Sequence, residues 1–304
     1  MADFKLLNYA GIAGEARPGI LVGDHRIVDL EQATGGAAWA ATTLSILEVW
    51  DTSCAALHEI ADDASDTRPL ADVHLLAPIL FPPAIYCAGA NYKKHAMEMS
   101  PDGKTFPDKT KVKPYFFLKN ARHCVIGPGD DIRLPAISKM VDWEAEFAVV
   151  IGKRGKNISL ADAFDYVAGY TIMNDLSARD QGTRKDWPRF ASDWFSHKNF
   201  DGAAPMGPWI TPADQIADPY ECRMKLWVND DEMQNELVSD LIFDIADQIH
   251  SLSERMTLFP GDVISTGTPS GVGRPRNIFL KSGDTVRITI DGIGELSNPV
   301  VEGD

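Results

Sequence analysis

No C-x-x-C pair occurs among the four cysteines Cys54, Cys87, Cys124 and Cys222. Neither a zinc ribbon nor a disulfide framework is therefore indicated, and buried free thiols are expected. Long apolar runs are missing as well: none approaches the roughly 20 residues that span a bilayer. The N-terminal stretch MADFKLLNYAGIAGEARPG has no apolar h-region, so a soluble, cytoplasmic protein is expected. Positive charge is scarce, with 29 Lys and Arg against 44 Asp and Glu, a formal net charge of −15. Without basic blocks, nucleic acid and anionic membrane are disfavoured as partners. A small anionic substrate would need a local positive centre. The glycine-rich TGTPSGVG at 266–273 lacks the G-K-[ST] ending of a P-loop and the G-x-S-x-G spacing of a nucleophile elbow, which argues against a serine hydrolase.

What is present is enough apolar material for a real core: 44 % of the 304 residues are hydrophobic. The first segment alternates short strand patterns with turns, FKLLNYA and then GILVGDHRIVDL, where Gly23-Asp24 reads as a hairpin turn. A helical stretch runs from Leu44 to Ile60. The polar, proline-bearing DDASDTRPLAD then suggests a boundary near residue 70, with a small N-terminal domain over 1–70 and a second domain over 71–304. Beyond it strands dominate: HLLAPI, AIYCAGA, PYFFLKN, WEAEFAVVIG, AGYTIMND, RMKLWVND, GDVISTG and TVRITIDG. The clearest helices are LADAFDYV, with Ser159 as N-cap, and SDLIFDIADQIHSLSERM, starting after Ser239. Many strands with few helices point to a mixed α/β, strand-rich fold and away from a doubly wound parallel sheet.

The stretch VDWEAEFAVVIG, residues 141–152, poses a charge problem. Read as a strand, its odd positions Val141, Trp143, Ala145, Phe147, Val149 and Ile151 form one apolar face. Its even face opens with Asp142, Glu144 and Glu146 before turning apolar. Glutamates at the rim of an interior repel one another, and burial with a like neighbour raises a carboxylate pKa. A bound divalent cation removes the difficulty; an edge strand whose glutamates face water is the alternative. A second polar strand end follows at Asn174-Asp175, where Asp175 either caps a turn or joins the cluster.

Five segments in order resemble the fumarylacetoacetate hydrolase family: GANYKKHAME (89–98), DWEAEFAVVIG (142–152), NDLSARD (174–180), HKNFDGAAPMGPWI (197–210) and LFPGDVISTGTPSGVG (258–273). The resemblance covers about residues 73 to 300. It implies a mixed β-sandwich roll with a small N-terminal β-rich domain, assembled as a homodimer. It also implies a metal site of Glu144, Glu146 and Asp175, whose three carboxylates suit one Mg²⁺ or Mn²⁺. Lys198 is then the active-site lysine, binding a substrate carboxylate or stabilising an enolate oxyanion. His95 and Glu98 lie three apart, so on a helical turn they can pair as a base and its orienting carboxylate; an exposed ion pair is the bland alternative.

Arg179, Gln181 and Thr268 are candidate substrate contacts. The family places a glutamine two positions after the SARD aspartate, whereas here Gln181 follows Asp180 directly and Gly182 occupies that place. The aromatics Trp187, Phe190, Trp194 and Phe195 cover the site or pack in the core, and core packing is expected for at least two. The implied activity is metal-dependent hydrolysis of a C–C bond in a 2,4-dioxo acid of the acylpyruvate type, with water activated by His95. An oxaloacetate-type decarboxylase or a keto-enol isomerase could use the same site. A non-catalytic binding protein that keeps the metal as a staple is the reading from another class.

Overall fold

The computed structural model describes residues 2–303. Its main strands and helices in chain order begin with β1 (Phe4–Ala10), β2 (Ala16–Val22), β3 (Arg26–Asp29) and α1 (Trp50–Asp62). Next come β4 (Ile85–Ala88), α2 (Lys93–Met99), β5 (Phe116–Lys119), β6 (Ala145–Ile151), β7 (Val167–Asn174) and α3 (Trp194–Lys198). The chain continues through β8 (Ala204–Pro212), β9 (Arg223–Val228), β10 (Asp231–Leu237), α4 (Ile245–Arg255), β11 (Val263–Ser265), β12 (Thr285–Ile290) and β13 (Gly294–Glu302).

The strand-rich mixed fold expected from the sequence is present. One long sheet runs β3-β2-β1-β8-β7-β6-β11-β4-β5, and a second runs β10-β9-β12-β13 with Ile132–Leu134 at its edge. The hairpin turn falls at Gly23, whose φ of 58° is the left-handed region that suits glycine. The strand β1 pairs with β8 as well as with β2, so the N-terminal meander adds to the long sheet. No described helix is long and apolar enough to cross a membrane.

Burial explains why β6 is apolar on both faces. Trp143, Phe147, Val149 and Ile151 pack into a cluster with Met224, Leu226, Ile288 and Ile290 of the second sheet. Ala148 and Val150 face the other way, into a cluster with Leu6, Ile20, Ile46 and Leu57 from the N-terminal segment. A strand between two apolar layers has no solvent face, as its near-continuous hydrophobic run indicates.

Three sequence expectations need correction. The stretch 141–152 is not one strand: Val141–Asp142 pairs with Ser177–Ala178, and β6 begins only at Ala145. Between them the Glu144 N–H donates to the Asn174 side chain at 3.0 Å, so a side chain replaces the neighbouring backbone there. LADAFDYV forms only a 3-10 turn, Ala163–Tyr166. The helix expected after Ser239 starts at Ile245, because Asp244 and Asp247 make a reciprocal capping box that sets the first turn. Leu241 and Ile242 precede it as buried anchors.

Candidate active site

Glu146 stands on β6, a central strand hydrogen-bonded to β7 and β11, so the alternative of glutamates on a wet edge does not hold. Glu144, Glu146 and Asp175 are all at least nine-tenths buried. Each offers an oxygen, and the three oxygens lie within 4.8 Å of one another. The Asp175 N–H donates to the Glu144 carbonyl at 2.8 Å, which ties the end of β7 to the break before β6 and holds the two carboxylates together. Glu146 Oε2 accepts from Ser265 Oγ and from the Gly267 N–H at 2.9 Å.

Cations converge on this cluster from three elements. Lys198, at the end of α3, donates to Glu144 Oε2 at 2.7 Å and to Asp175 Oδ2 at 2.6 Å. Lys119, at the end of β5, donates to the carbonyls of Leu176 and Lys198 at 2.9 and 2.6 Å. Its Nζ also lies 2.9 Å from Asp175 Oδ1, although that oxygen accepts no well-aligned hydrogen bond among the described residues. Arg179 bridges Asp142 Oδ2 and Glu144 Oε1 at 2.8 and 2.5 Å. Asp142 is anchored in turn by the Gly273 and Arg274 N–H groups at 2.7 and 3.0 Å.

Electrostatics separate the two glutamates. Burial works against ionisation of Glu144, but Lys198, Arg179 and His95 overcome it and hold the carboxyl below its ordinary range. Glu146 makes no ion pair among the described residues, and burial, with Asp175 and Glu144 beside it, outweighs Ser265 and Lys198 and pushes it well above the usual carboxylate value. Burial likewise opposes the Lys198 charge, yet Asp175 and Glu144 raise its pKa, so it stays an ammonium. Four carboxylates face three cationic side chains, which leaves one uncompensated negative charge. A divalent cation fits this donor set: it takes hard oxygen ligands, relieves Glu146 and turns the local balance to one positive charge. That sign suits an anionic substrate.

The expected dyad is formed. Helix α2 brings His95 Nδ1 to 2.9 Å from Glu98 Oε1, and Glu98 is fixed by the Gly271 N–H at 3.0 and 3.1 Å. A carboxylate only accepts, so Nδ1 carries the proton and Nε2 keeps a lone pair able to act as a base. His95, Glu144, Glu146, Arg179, Lys198 and Thr268 line one cavity of about 150 Å³. It shares Gly89, Ala90 and Met99 with a wider cleft of about 580 Å³ that includes Phe106, Pro107 and Tyr115.

Of the predicted substrate contacts, Thr268 lines the cavity and its hydroxyl accepts from Gln234 Nε2 at 2.9 Å. Arg179 also lines it while spending two donors on carboxylates. Gln181 is not brought there: its amide donates to the Ile137 carbonyl at 2.6 Å, outside the cavity lining. None of the four aromatics at 187–195 is in the core. Trp187, Phe190 and Phe195 are exposed, and Trp194 lines the cavity stacked on Phe117 at 4.9 Å. The segment consists of turns and short helical pieces and contributes no strand to either sheet, so its rings do not alternate into a core face.

Sequence reasoning missed Lys119, the pairing role of Asp142, and two further lining residues, His197 and Arg274. A lysine ending the apolar run FFLK was the available signal for Lys119. Burial, reinforced by Lys198 and Arg179, pushes His197 down to about 3, so the ring is neutral at ordinary pH.

The chain is similar to known proteins over most of its length. Residues 84–301 match the family model described as the C-terminal fumarylacetoacetate hydrolase domain. The mitochondrial oxaloacetate tautomerase fahd2 of Xenopus laevis is 41 % identical over 257 residues, covering 84 % of this chain and 77 % of that protein. Maleylpyruvate hydrolase from Sphingobium sp. SYK-6, solved with manganese(II) and pyruvate, is 34 % identical with a TM-score of 0.78, covering 99 % of this chain and 100 % of that one. The 5-carboxymethyl-2-hydroxymuconate delta-isomerase from Mycobacterium smegmatis is 36 % identical with a TM-score of 0.74, and the match covers 99 % of each chain.

Proposed function

We propose that this chain, which belongs to the fumarylacetoacetate hydrolase family, is a divalent-cation-dependent enzyme that interconverts the keto and enol forms of a small 2-oxo acid. The single observation that carries the reading is His95, paired with Glu98, lining the same cavity as Glu144 and Glu146 of the carboxylate cluster. Glu144, Glu146 and Asp175 would hold Mg²⁺ or Mn²⁺, which when bound supplies Lewis-acid polarisation of a 2-oxo group. His95 Nε2 takes a proton from the carbon next to the keto group and passes it to the keto oxygen, and in the reverse direction carries it from the enol hydroxyl back to that carbon, while Glu98 accepts from Nδ1 and supports the charged ring. Lys198 adds positive charge where an enolate oxygen develops. The likeness to oxaloacetate tautomerases supports this choice of reaction.

A second reading has its own support. In C–C hydrolysis of a 2,4-dioxo acid of the acylpyruvate type, His95 Nε2 would deprotonate water instead, and the wider cleft would take the acyl portion. The likeness to maleylpyruvate hydrolase favours it. Ultraviolet absorbance separates the two readings when enolised oxaloacetate and a set of acylpyruvates are followed with Mg²⁺ or Mn²⁺ and with EDTA. Accelerated enol decay without cleavage supports the tautomerase, and bleaching with release of pyruvate supports the hydrolase. No cation-dependent change on any of these substrates would contradict both. We also propose a homodimer, supported by the exposed Leu118 and Phe195 on β5 and α3; light scattering giving the monomer mass of 33.3 kDa would contradict it.

A further inference from the structure

Three side chains of different ligand chemistry meet outside the active-site cavity. Cys54 and His58 are four apart on α1, so they share one face of the helix. Asp214 comes from the turn Ala213–Gln215 that follows β8. One sulfur, one imidazole nitrogen and one carboxylate oxygen from these residues lie within 4.8 Å of one another. His58 is buried and fixed: its Nδ1 lies 2.9 Å from the Ala2 carbonyl, and its ring meets Phe4 edge to face at 4.9 Å. A carbonyl only accepts, so Nδ1 carries the proton and Nε2 of the neutral ring presents a lone pair. That lone pair faces Asp214 Oδ2 at 3.2 Å, an acceptor against an acceptor. A proton on Nε2 would relieve the contact as an ion pair, but it gives the Cys54 sulfur no part. A cation relieves it and uses all three atoms.

We propose that Cys54, His58 and Asp214 bind a zinc ion that pins α1 to the turn after β8. Sulfur, nitrogen and oxygen donors together suit zinc, whereas the all-oxygen cluster of Glu144, Glu146 and Asp175 suits a harder cation, so the two sites sort ions by softness. A backbone carbonyl on the second ring nitrogen is a usual support of a metal-bound histidine, and Ala2 supplies it. Asp214 is exposed, which gives the ion a path from solvent. Two anionic ligands cancel the charge of the ion, and water completes four-coordination. Burial, with Asp214 nearby, pushes the Cys54 thiol up to about 11, so the sulfur is neutral before the ion arrives and binding releases its proton to solvent.

Cobalt(II) reports on this site, because a thiolate bound to it absorbs in the near ultraviolet and an all-oxygen site gives no such band. The full chain, stripped with EDTA and desalted into excess Mg²⁺, is titrated with Co²⁺. The wild type should develop one saturable thiolate band, and added Zn²⁺ should bleach it. Cys54→Ser should abolish the band. Asp214→Asn, at an exposed position, keeps the test open should Cys54→Ser not fold: the band should remain but require about tenfold or more Co²⁺, the scale on which losing a metal's supporting group weakens binding. Absence of a thiolate band in the wild type overturns the proposal and leaves His58 and Asp214 as an ion pair. A band that survives Cys54→Ser assigns the ion to Cys87, Cys124 or Cys222 and overturns it as well. So does an Asp214→Asn titration identical to that of the wild type.

Discussion

Two buried carboxylate networks in this protein use the same residue types to opposite ends. In the N-terminal meander, Asp29 is held by Arg17 through Nε and Nη2 at 2.7 and 2.9 Å, by the Tyr9 hydroxyl and by the Gln32 N–H at 2.9 Å. The buried carboxylate has a donor for each oxygen, Arg17 also reaches the exposed Glu31 at 2.7 Å, and Asp29 sits below its ordinary pKa although burial opposes this, because Arg17 and Tyr9 satisfy the ionised form. At the end of β6 the count does not close: four carboxylates meet three cations, and Glu146 is pushed up. A balanced network staples a fold. An unbalanced one, kept in place by central strands, stores a requirement for something else to bind, and strongly shifted groups in a cavity are a mark of function.

The contrast is sharpest in Glu146→Gln. Removing the surplus charge should reduce turnover to background while leaving the cation-free protein as stable as the wild type or more so, as assay and urea denaturation together would show. Loss of stability in parallel with activity would make Glu146 a staple like Asp29. His95→Ala comes next: kcat should fall about 10²-fold, the scale of a general-base contribution, with cation binding unchanged. A similar loss of manganese affinity would instead give His95 a part in holding the cation.

Asp29→Asn should do the reverse, lowering stability by about 1–3 kcal/mol because Arg17 loses its buried partner and keeps only the exposed Glu31 and Glu15, with turnover per folded molecule unchanged. A drop in specific activity without loss of stability would break the comparison from the other side. The smallest effect concerns pH. A carboxyl whose folded pKa is raised binds its proton more tightly when folded, so Glu146 makes stability fall as pH rises above the ordinary value of 4.5. Glu144 is depressed and acts in the opposite window: its contribution is present above 4.5 and is lost as pH falls below that. Thermal denaturation of the cation-free protein should therefore show a decline above pH 4.5 that Glu146→Gln flattens. A decline that persists in the variant would assign it to another group.

The strand-rich fold was legible because it sits in local patterns, whereas the resemblance to the family was needed to join Glu144, Glu146 and Asp175 into one site. Alternation at 141–151 separated an apolar face that the structure packs on the second sheet, and the end of the apolar run at Asn174 marked Asp175. The 95/98 spacing on one helical turn allowed the pairing of His95 with Glu98, and their burial, which excludes an exposed ion pair, was not legible. What was not legible depends on distance along the chain. Asp142 and Arg179 are 37 residues apart and Lys119 and Asp175 further still, so their pairing is a property of sheet order alone. Strand β8 hid behind Pro205, Pro208 and Pro212, since proline normally argues against a central strand. Lys198 was expected to face only the substrate, whereas it also bonds two of the cluster carboxylates, a contact set by where α3 docks.

The central claim is that the surplus buried charge is answered by a divalent cation at Glu144, Glu146 and Asp175. The direct measurement is urea denaturation of wild type and Glu146→Gln with and without Mn²⁺ at a fixed neutral pH. At about 100 times the dissociation constant, manganese should add about 2.7 kcal/mol to the wild type and much less to the variant. Equal stabilisation of both proteins, or none of either, would contradict the account.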